Sequence, residues 1–398
     1  MKVLQLTNEY PPNVYGGAGV HIEYLSRELA KLMPVEVRCF GDQDSQDGNL
    51  TVCGFETDTS GYGCEKKLRS ALAAAQRGLD WNSAGIDADL VHCHTWYAQL
   101  GGIIAKLNYG LPLVITTHSL EPLRPWKREQ LGGGYDFSSW IERTAIEMAD
   151  AVIAVSRGTR EDVLRLFDVD PAKVHIIYNG IDPDQYRPTG STAALEAHGV
   201  DPSQPYLLFV GRITRQKGIT YLVRAIEHMD PGYQVVLCAG APDTPEIAAE
   251  MQEAVRAASA HRGGVIWIEE MLSKPEVIEL YSHAEVFCCP SIYEPFGIIN
   301  LEAMACETAV VASEVGGIPE AVGDAGVLVP LAQMEEAPFA PVDPATYSRD
   351  LATAVNALMT DPEKRARLAA AGRRRAVEQF SWSSIAAQTR ALYETLVK

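Results

Sequence analysis

No apolar run in this sequence approaches the roughly 20 residues needed to cross a bilayer, so no membrane-spanning helix is expected. No long basic run offsets 52 Asp plus Glu against 34 Lys plus Arg, and the net charge is -18. Nucleic acid and stable membrane insertion are therefore not expected among its partners. The eight cysteines include no C-x-x-C pair, and Cys288 and Cys289 stand side by side in a strand-like run. Reduced, buried thiols of a cytoplasmic protein are the expectation. Strand-like Val3-Leu4-Gln5-Leu6 begins almost at the first residue, so no secretory leader is expected.

What the chain does have is alternation. The 398 residues suit two or three domains. Apolar strand-length runs at 3–6, 35–40, 90–93, 113–116, 151–155 and 174–178 alternate with helical stretches. A second series follows at 206–210, 234–239, 265–268, 286–289, 309–312 and 326–329. Nearly continuous apolar strands separated by helices signal parallel sheets covered on both faces, so the expected class is α/β with two doubly wound, Rossmann-like domains. The expected boundaries are 1–182 and 183–380, with Asn179-Gly180-Ile181-Asp182-Pro183 and the polar stretch Arg187 to Gln204 after it read as linker and hinge. Ser381-Trp382-Ser383 caps a last helix expected to pack back on the first domain. Ligands of such folds sit beyond the C-terminal ends of the strands, which here means a central cleft.

The organising stretch is Ser291-Ile292-Tyr293-Glu294-Pro295-Phe296-Gly297-Ile298-Ile299-Asn300-Leu301-Glu302. It follows the apolar run Val286 to Cys289 and opens a small-residue helix. Pro295 and Gly297 turn the backbone tightly, so the amides of Phe296, Gly297, Ile298 and Ile299 can face an anion at a helix N-terminus. Glu294 and Glu302 bracket the turn, and a helix through both would set them on the order of 10 Å apart. That spacing suits two ends of one elongated ligand. The bland alternative is a loop carboxylate and a solvated helix face.

Three further glycine turns follow strands. Gly16-Gly17 and Gly19 lie in the loop after the first strand, ahead of a helix expected at 22–31 and ending in Ala18-Gly19-Val20-His21; alone, this is as consistent with close helix packing as with a phosphate. In Gly211-Arg212-Ile213-Thr214-Arg215-Gln216-Lys217-Gly218, a guanidinium and an ammonium flank one turn and can neutralise a diphosphate from two sides. Val315-Gly316-Gly317-Ile318-Pro319-Glu320 makes the third. His118 follows the fourth strand of the first domain and can hydrogen-bond a sugar hydroxyl. His92 and His94 share a strand face, but a metal is rejected because no third ligand of fitting spacing is apparent. Glu121, Arg124, Trp126 and Lys127 form a polar, aromatic loop that suits an acceptor or an ordinary surface.

Taken in order, Gly16-Gly17, Gly211-Arg212 to Lys217-Gly218, Glu294 with Glu302, and Gly316-Gly317-Ile318-Pro319-Glu320 resemble the retaining glycosyltransferases of the GT-B fold, in glycosyltransferase family 4. The likeness covers essentially the whole chain. Glu9-Tyr10-Pro11-Pro12, Tyr15 to His21, and Trp267-Ile268-Glu269-Glu270-Met271-Leu272 look more narrowly like the short actinobacterial type of glycogen synthase. That resemblance implies ADP-glucose as donor and an α-1,4 bond formed on a glucan or on glucose 1-phosphate, with no cofactor and no metal. It implies that Arg212 and Lys217 hold the departing diphosphate, Glu294 and the Phe296 and Gly297 amides the sugar, Glu302 the ribose, His118 the glucose near its 6-hydroxyl, and Gly17 the phosphates. Base contacts are expected near Met271 and Leu272, and acceptor contacts at Glu121, Arg124 and Trp126. Longer relatives carry a lysine two residues before the glycine pair, where this chain has Val14 and Tyr15. Glu307 replaces a frequent glycine.

Competing readings are a glycoside hydrolase, a GT-B transferase using a UDP- or GDP-linked sugar on a lipid or small-molecule acceptor, and a non-catalytic nucleotide-sugar sensor. A hydrolase does not need the Arg212 and Lys217 pair. Arg27, Lys31, Lys66, Lys67 and Arg69 are too sparse to require a membrane surface. A homodimer is left open.

Overall fold

A computed structural model describes residues 1–397 and separates them into two compact units, 1–180 with 382–397, and 181–381. The strands of the first unit are β1 (Val3–Thr7), β2 (Val35–Phe40), β3 (Asp44–Asp47), β4 (Leu50–Phe55), β5 (Leu90–His94), β6 (Leu113–Thr117), β7 (Ala151–Ala154) and β8 (Val174–Ile176). They form one sheet in the order β3-β4-β2-β1-β5-β6-β7-β8. All its pairs are parallel except β3 with β4. The second unit holds β9 (Tyr206–Arg212), β10 (Gln234–Gly240), β11 (Val265–Ile268), β12 (Val286–Cys289), β13 (Ala309–Ser313) and β14 (Val327–Val329). These are parallel throughout, in the order β11-β10-β9-β12-β13-β14.

The strand orders explain where a ligand belongs. In the first unit the chain builds outward from β1 to β2 and then returns to lay β5 on the other side of β1; in the second it does the same around β9, with β12. Each reversal leaves a crevice beyond the carboxyl ends of the two central strands. Central strands are buried on both faces: every residue of β1, β5, β12 and β13 is inaccessible. Helices cover the sheets and start at side-chain caps such as Ser156, Thr244 and Asp343.

Three expectations need correction. The hairpin β3–β4 has no counterpart in the apolar pattern, because Asp44–Asp47 is exposed along its whole length and reads as polar loop. The stretch from Arg187 to Gln204 is not a free linker. It contains the helix Ala193–Ala197, buries Leu195 and Val200, and is tied by the Ala194 amide to Glu279 Oε2 at 2.8 Å. The helix after the organising turn runs Ile298–Ala305, so Glu294 lies in the preceding loop and no helix joins it to Glu302.

The final helix, Trp382–Leu396, belongs to the first unit and packs against the helix Gly17–Ala30. Trp382 stacks on Tyr24 with ring centroids 5.7 Å apart, and Tyr393 Oη lies 2.6 Å from His92 Nδ1. All eight cysteines are free thiols, and six are buried. No helix among the described residues is long and apolar enough to cross a membrane.

Candidate active site

In the second unit the loops after β9 and β12 meet at the switch point. Lys217 Nζ lies 2.7 Å from Glu294 Oε2, with both side chains mostly buried. Ser291 Oγ donates to the same carboxylate oxygen at 3.3 Å. Arg212 Nη1 donates to Asp243 Oδ1 at 2.9 Å, an acidic partner that sequence reading did not single out. Two cations are thus held by neighbouring carboxylates rather than left to swing in solvent.

Glycines let backbones touch here. Gly316 has φ +54, and a Cβ on it would fall on the carbonyl oxygen of Glu294. A Cβ on Gly317 would collide with the Pro295 carbonyl, while the Gly317 amide donates to the Glu294 carbonyl at 2.9 Å. Gly218, at φ +62, lies in the same way against the Pro290 carbonyl. The third glycine turn therefore braces the organising loop. Gly297 has φ +93 and precedes the helix Ile298–Ala305, whose first-turn amides at Ile298 and Ile299 have no partner inside the helix. Phe296 is buried against Phe380, with ring centroids 5.6 Å apart. Behind Gly297, the Asn300 amide is fully buried and both its polar atoms lack a hydrogen-bond partner. Nothing in the sequence pattern marks it.

Glu302 lies one turn deeper, accepting from Tyr281 Oη at 3.2 Å. Burial pushes its carboxyl above the usual range, and hydroxyl bonds from Tyr186 and Tyr281 pull the other way. Met271 is exposed and Leu272 half-buried, both in the loop after β11.

In the first unit the loop after β1 is organised by Glu9, whose Oε2 accepts the amides of both Tyr15 and Gly16 at 2.7 Å. A carboxylate already fills the place where the Gly16 amide could meet an anion, so Gly17, the first helical residue, is the nearer candidate. A Cβ on Gly16 would meet nothing within 4 Å.

Four imidazoles converge where β5 and β6 end. His94 Nδ1 is 3.0 Å from His118 Nε2, and His21 from the helix Gly17–Ala30 packs on both rings at centroid distances of 5.4 and 4.7 Å. His21 Nδ1 lies 2.7 Å from Asn179 Oδ1. His92 uses both nitrogens, on Tyr393 Oη and Thr116 Oγ1. Burial lowers all four, His21 to about 4 and His92 to about 3, with His94 and His118 well below the ordinary value. The pair weighed for a metal, His92 with His94, does not form a site, because His92 is spent on Tyr393 and Thr116; the fold instead sets His21 and His118, from other elements, beside His94.

Of the acceptor candidates, Glu121 and Trp126 are buried. Glu121 accepts from Ser138 Oγ at 2.9 Å and from Arg124 Nη1 at 3.4 Å, and its amide donates to Glu142 Oε2 at 2.7 Å. Glu121 therefore anchors the loop. Arg124 Nη1 also reaches Ser119 Oγ at 3.1 Å, so its guanidinium is held beside Glu121.

Two doubly wound α/β units, each with glycine turns and charged groups at its switch point, define a glycosyltransferase of the GT-B class. The chain belongs to glycosyltransferase family 4: the family described as Glycosyltransferase Family 4 matches residues 15–185, and Glycosyl transferases group 1 matches 191–375. It is 49% identical over 399 residues to the alpha-maltose-1-phosphate synthase of Mycolicibacterium smegmatis, covering 99% of each chain. It is 48% identical over 401 residues to the protein of the same name from Mycobacterium tuberculosis, again covering 99% of each. Among solved structures, sucrose-phosphate synthase from Thermosynechococcus elongatus superposes with a TM-score of 0.80 at 23% identity, over 100% of this chain and 99% of that one.

Proposed function

We propose that this glycosyltransferase moves glucose from ADP-glucose onto glucose 1-phosphate, with retention and without a catalytic metal, giving α-maltose 1-phosphate. The observation that carries the reading is likeness at about half of all positions, over essentially the full length, to two relatives of that name. The organisation of the second unit supports it.

As the bond to the donor breaks, the anomeric carbon gains positive character and the diphosphate gains negative charge. Lys217 and Arg212, held beforehand by Glu294 and Asp243, stand ready for that charge, as do the first-turn amides of Ile298 and Ile299. Groups already oriented cost no reorganisation during the reaction, and removing one such donor typically costs on the order of 3 kcal/mol of barrier. The two fixed cations supply what a divalent ion would otherwise supply. Glu294, next to Lys217, steers hexose hydroxyls, and Glu302 holds the ribose. His118, kept neutral by burial, hydrogen-bonds the glucose, and the leaving phosphate oxygen takes the acceptor's proton. Arg124 favours a phosphorylated acceptor over a neutral glucan, because a guanidinium pairs with phosphate through two parallel hydrogen bonds.

The test is incubation of the purified chain with ADP-glucose, or UDP-glucose in parallel, and glucose 1-phosphate, with products weighed by mass spectrometry. A disaccharide phosphate formed with ADP release is expected. Elongation of glycogen with no disaccharide phosphate would overturn the acceptor assignment, and turnover with UDP-glucose alone the donor assignment.

A further inference from the structure

We propose that His21, His94 and His118 form a three-imidazole site for a divalent ion of the zinc class, and that filling it arrests the transferase. One ring nitrogen from each residue lies within 4.8 Å of the others. Tetrahedral zinc with nitrogens at about 2.0–2.1 Å sets its ligands roughly 3.3 Å apart, so closure takes modest side-chain rotation. The ligands come from a helix, the end of β5 and the loop after β6, three elements whose backbones are fixed by the sheet.

Two features point to a ligand rather than to simple packing. The Nε2 atoms of His21 and His94 are buried and have no hydrogen-bond partner, an arrangement that costs free energy unless something uses the lone pairs. The Nδ1 of His21 bonds to Asn179 Oδ1 at 2.7 Å, the outer hydrogen bond that orients a metal-binding imidazole and leaves Nε2 as its donor atom. His92 takes no part, because Tyr393 and Thr116 occupy both its nitrogens. His118 is the partly exposed member, which gives the ion a way in and leaves one position open. No carboxylate completes the cluster, so the donor set selects Zn2+, Ni2+ or Cu2+ over the oxygen-seeking Mg2+.

The arrest rests on the proposed role of His118 toward the glucose, since an ion on that ring removes its hydrogen bond to the sugar. Isothermal titration of the metal-free full-length chain with ZnCl2, with no donor present, tests the site itself. One Zn2+ per chain is expected, with at least tenfold weaker binding in His21→Gln and no heat with MgCl2. Because the variant can disturb packing, X-ray absorption on the unaltered protein gives a second measurement, in which imidazole nitrogen scattering is expected. Sulfur scattering, or equal affinity in His21→Gln, overturns the site. ADP release in the presence of Zn2+ is then expected to fall more than tenfold and to return with EDTA. One imidazole-bound ion per chain with undiminished turnover would overturn the arrest and the sugar contact of His118 while leaving the site standing.

Discussion

Lys217 Nζ and Glu294 Oε2 lie 2.7 Å apart, joining the loop after β9 to the loop after β12 across the switch point of the second unit. The pair is mostly shielded from water, so each charge depends on the other, and removing one partner leaves the second desolvated without compensation.

Lys217→Ala is therefore expected to act in two ways that separate cleanly. Turnover should fall by about 10²–10³, the usual loss for one preorganised group at a developing charge. The thermal midpoint should drop by several degrees, because Glu294 is left mostly buried without its partner. Arg212→Ala should behave alike. Turnover within threefold of the unaltered enzyme in both variants, measured by ADP release, would refute the proposed clamp.

The glycine turns give a prediction in which two similar substitutions diverge. Gly316→Ala places a Cβ on the Glu294 carbonyl at a left-handed backbone position, so stability should fall by about 1–3 kcal/mol and activity with it. Gly16→Ala meets no atom within 4 Å and sits at φ -156, which any residue adopts. Its midpoint should not move, while donor affinity should drop if the phosphates pass over that loop. Equal denaturation midpoints for Gly316→Ala and the parent protein would contradict the bracing role.

Much of this architecture was legible because buried parallel strands write themselves as apolar runs: Val35 to Phe40, Val265 to Ile268 and Val286 to Cys289 begin and end where the pattern predicts. The turns were legible for a related reason, since glycine is needed where φ is positive or backbones touch, as at Gly218, Gly297 and Gly316. What stayed hidden depends on long-range pairing. Asp243 beside Arg212 and Glu142 beside Glu121 carry no local signature, and the imidazole cluster gathers residues 21, 94 and 118 through strand order and the packing of the helix Gly17–Ala30. A sequence periodicity can place His92 and His94 on one face, but only the fold shows that His92 is spent on Tyr393 and Thr116.

Glu302 offers a test of the ribose assignment. Its carboxylate accepts from Tyr186 and Tyr281 and is otherwise shut away from water. Glu302→Ala removes that acceptor and should weaken ADP binding by roughly 10–100-fold, the range for charged hydrogen bonds. Glu302→Gln keeps an acceptor for Tyr281 yet loses the charge, so its stability should stay near that of the parent while affinity still falls. Calorimetric titration with ADP distinguishes the cases, and unaltered affinity in Glu302→Ala would remove Glu302 from the donor site.

The pair Glu121 and Glu142 predicts a pH dependence with a definite sign. Burial first, and the neighbouring Glu121 charge second, push the Glu142 carboxyl well above its ordinary value, against weaker pulls from the Glu121 amide and Arg124. Between the unfolded value, near 4.5, and that raised folded value, the unfolded chain has released a proton that the folded chain keeps. Folded stability from this group is thus complete at low pH and is lost as pH climbs through the window. Glu142→Gln, which is uncharged at every pH and whose side-chain oxygen can still accept the Glu121 amide, should come nearest the parent at pH values below 4.5. It should become more stable than the parent by about 1.4 kcal/mol for each unit of pKa shift removed, with the gain growing toward pH 7 and above. Chemical denaturation of both proteins across that range checks it: a constant difference would show that Glu142 ionises as freely in the fold as in the open chain.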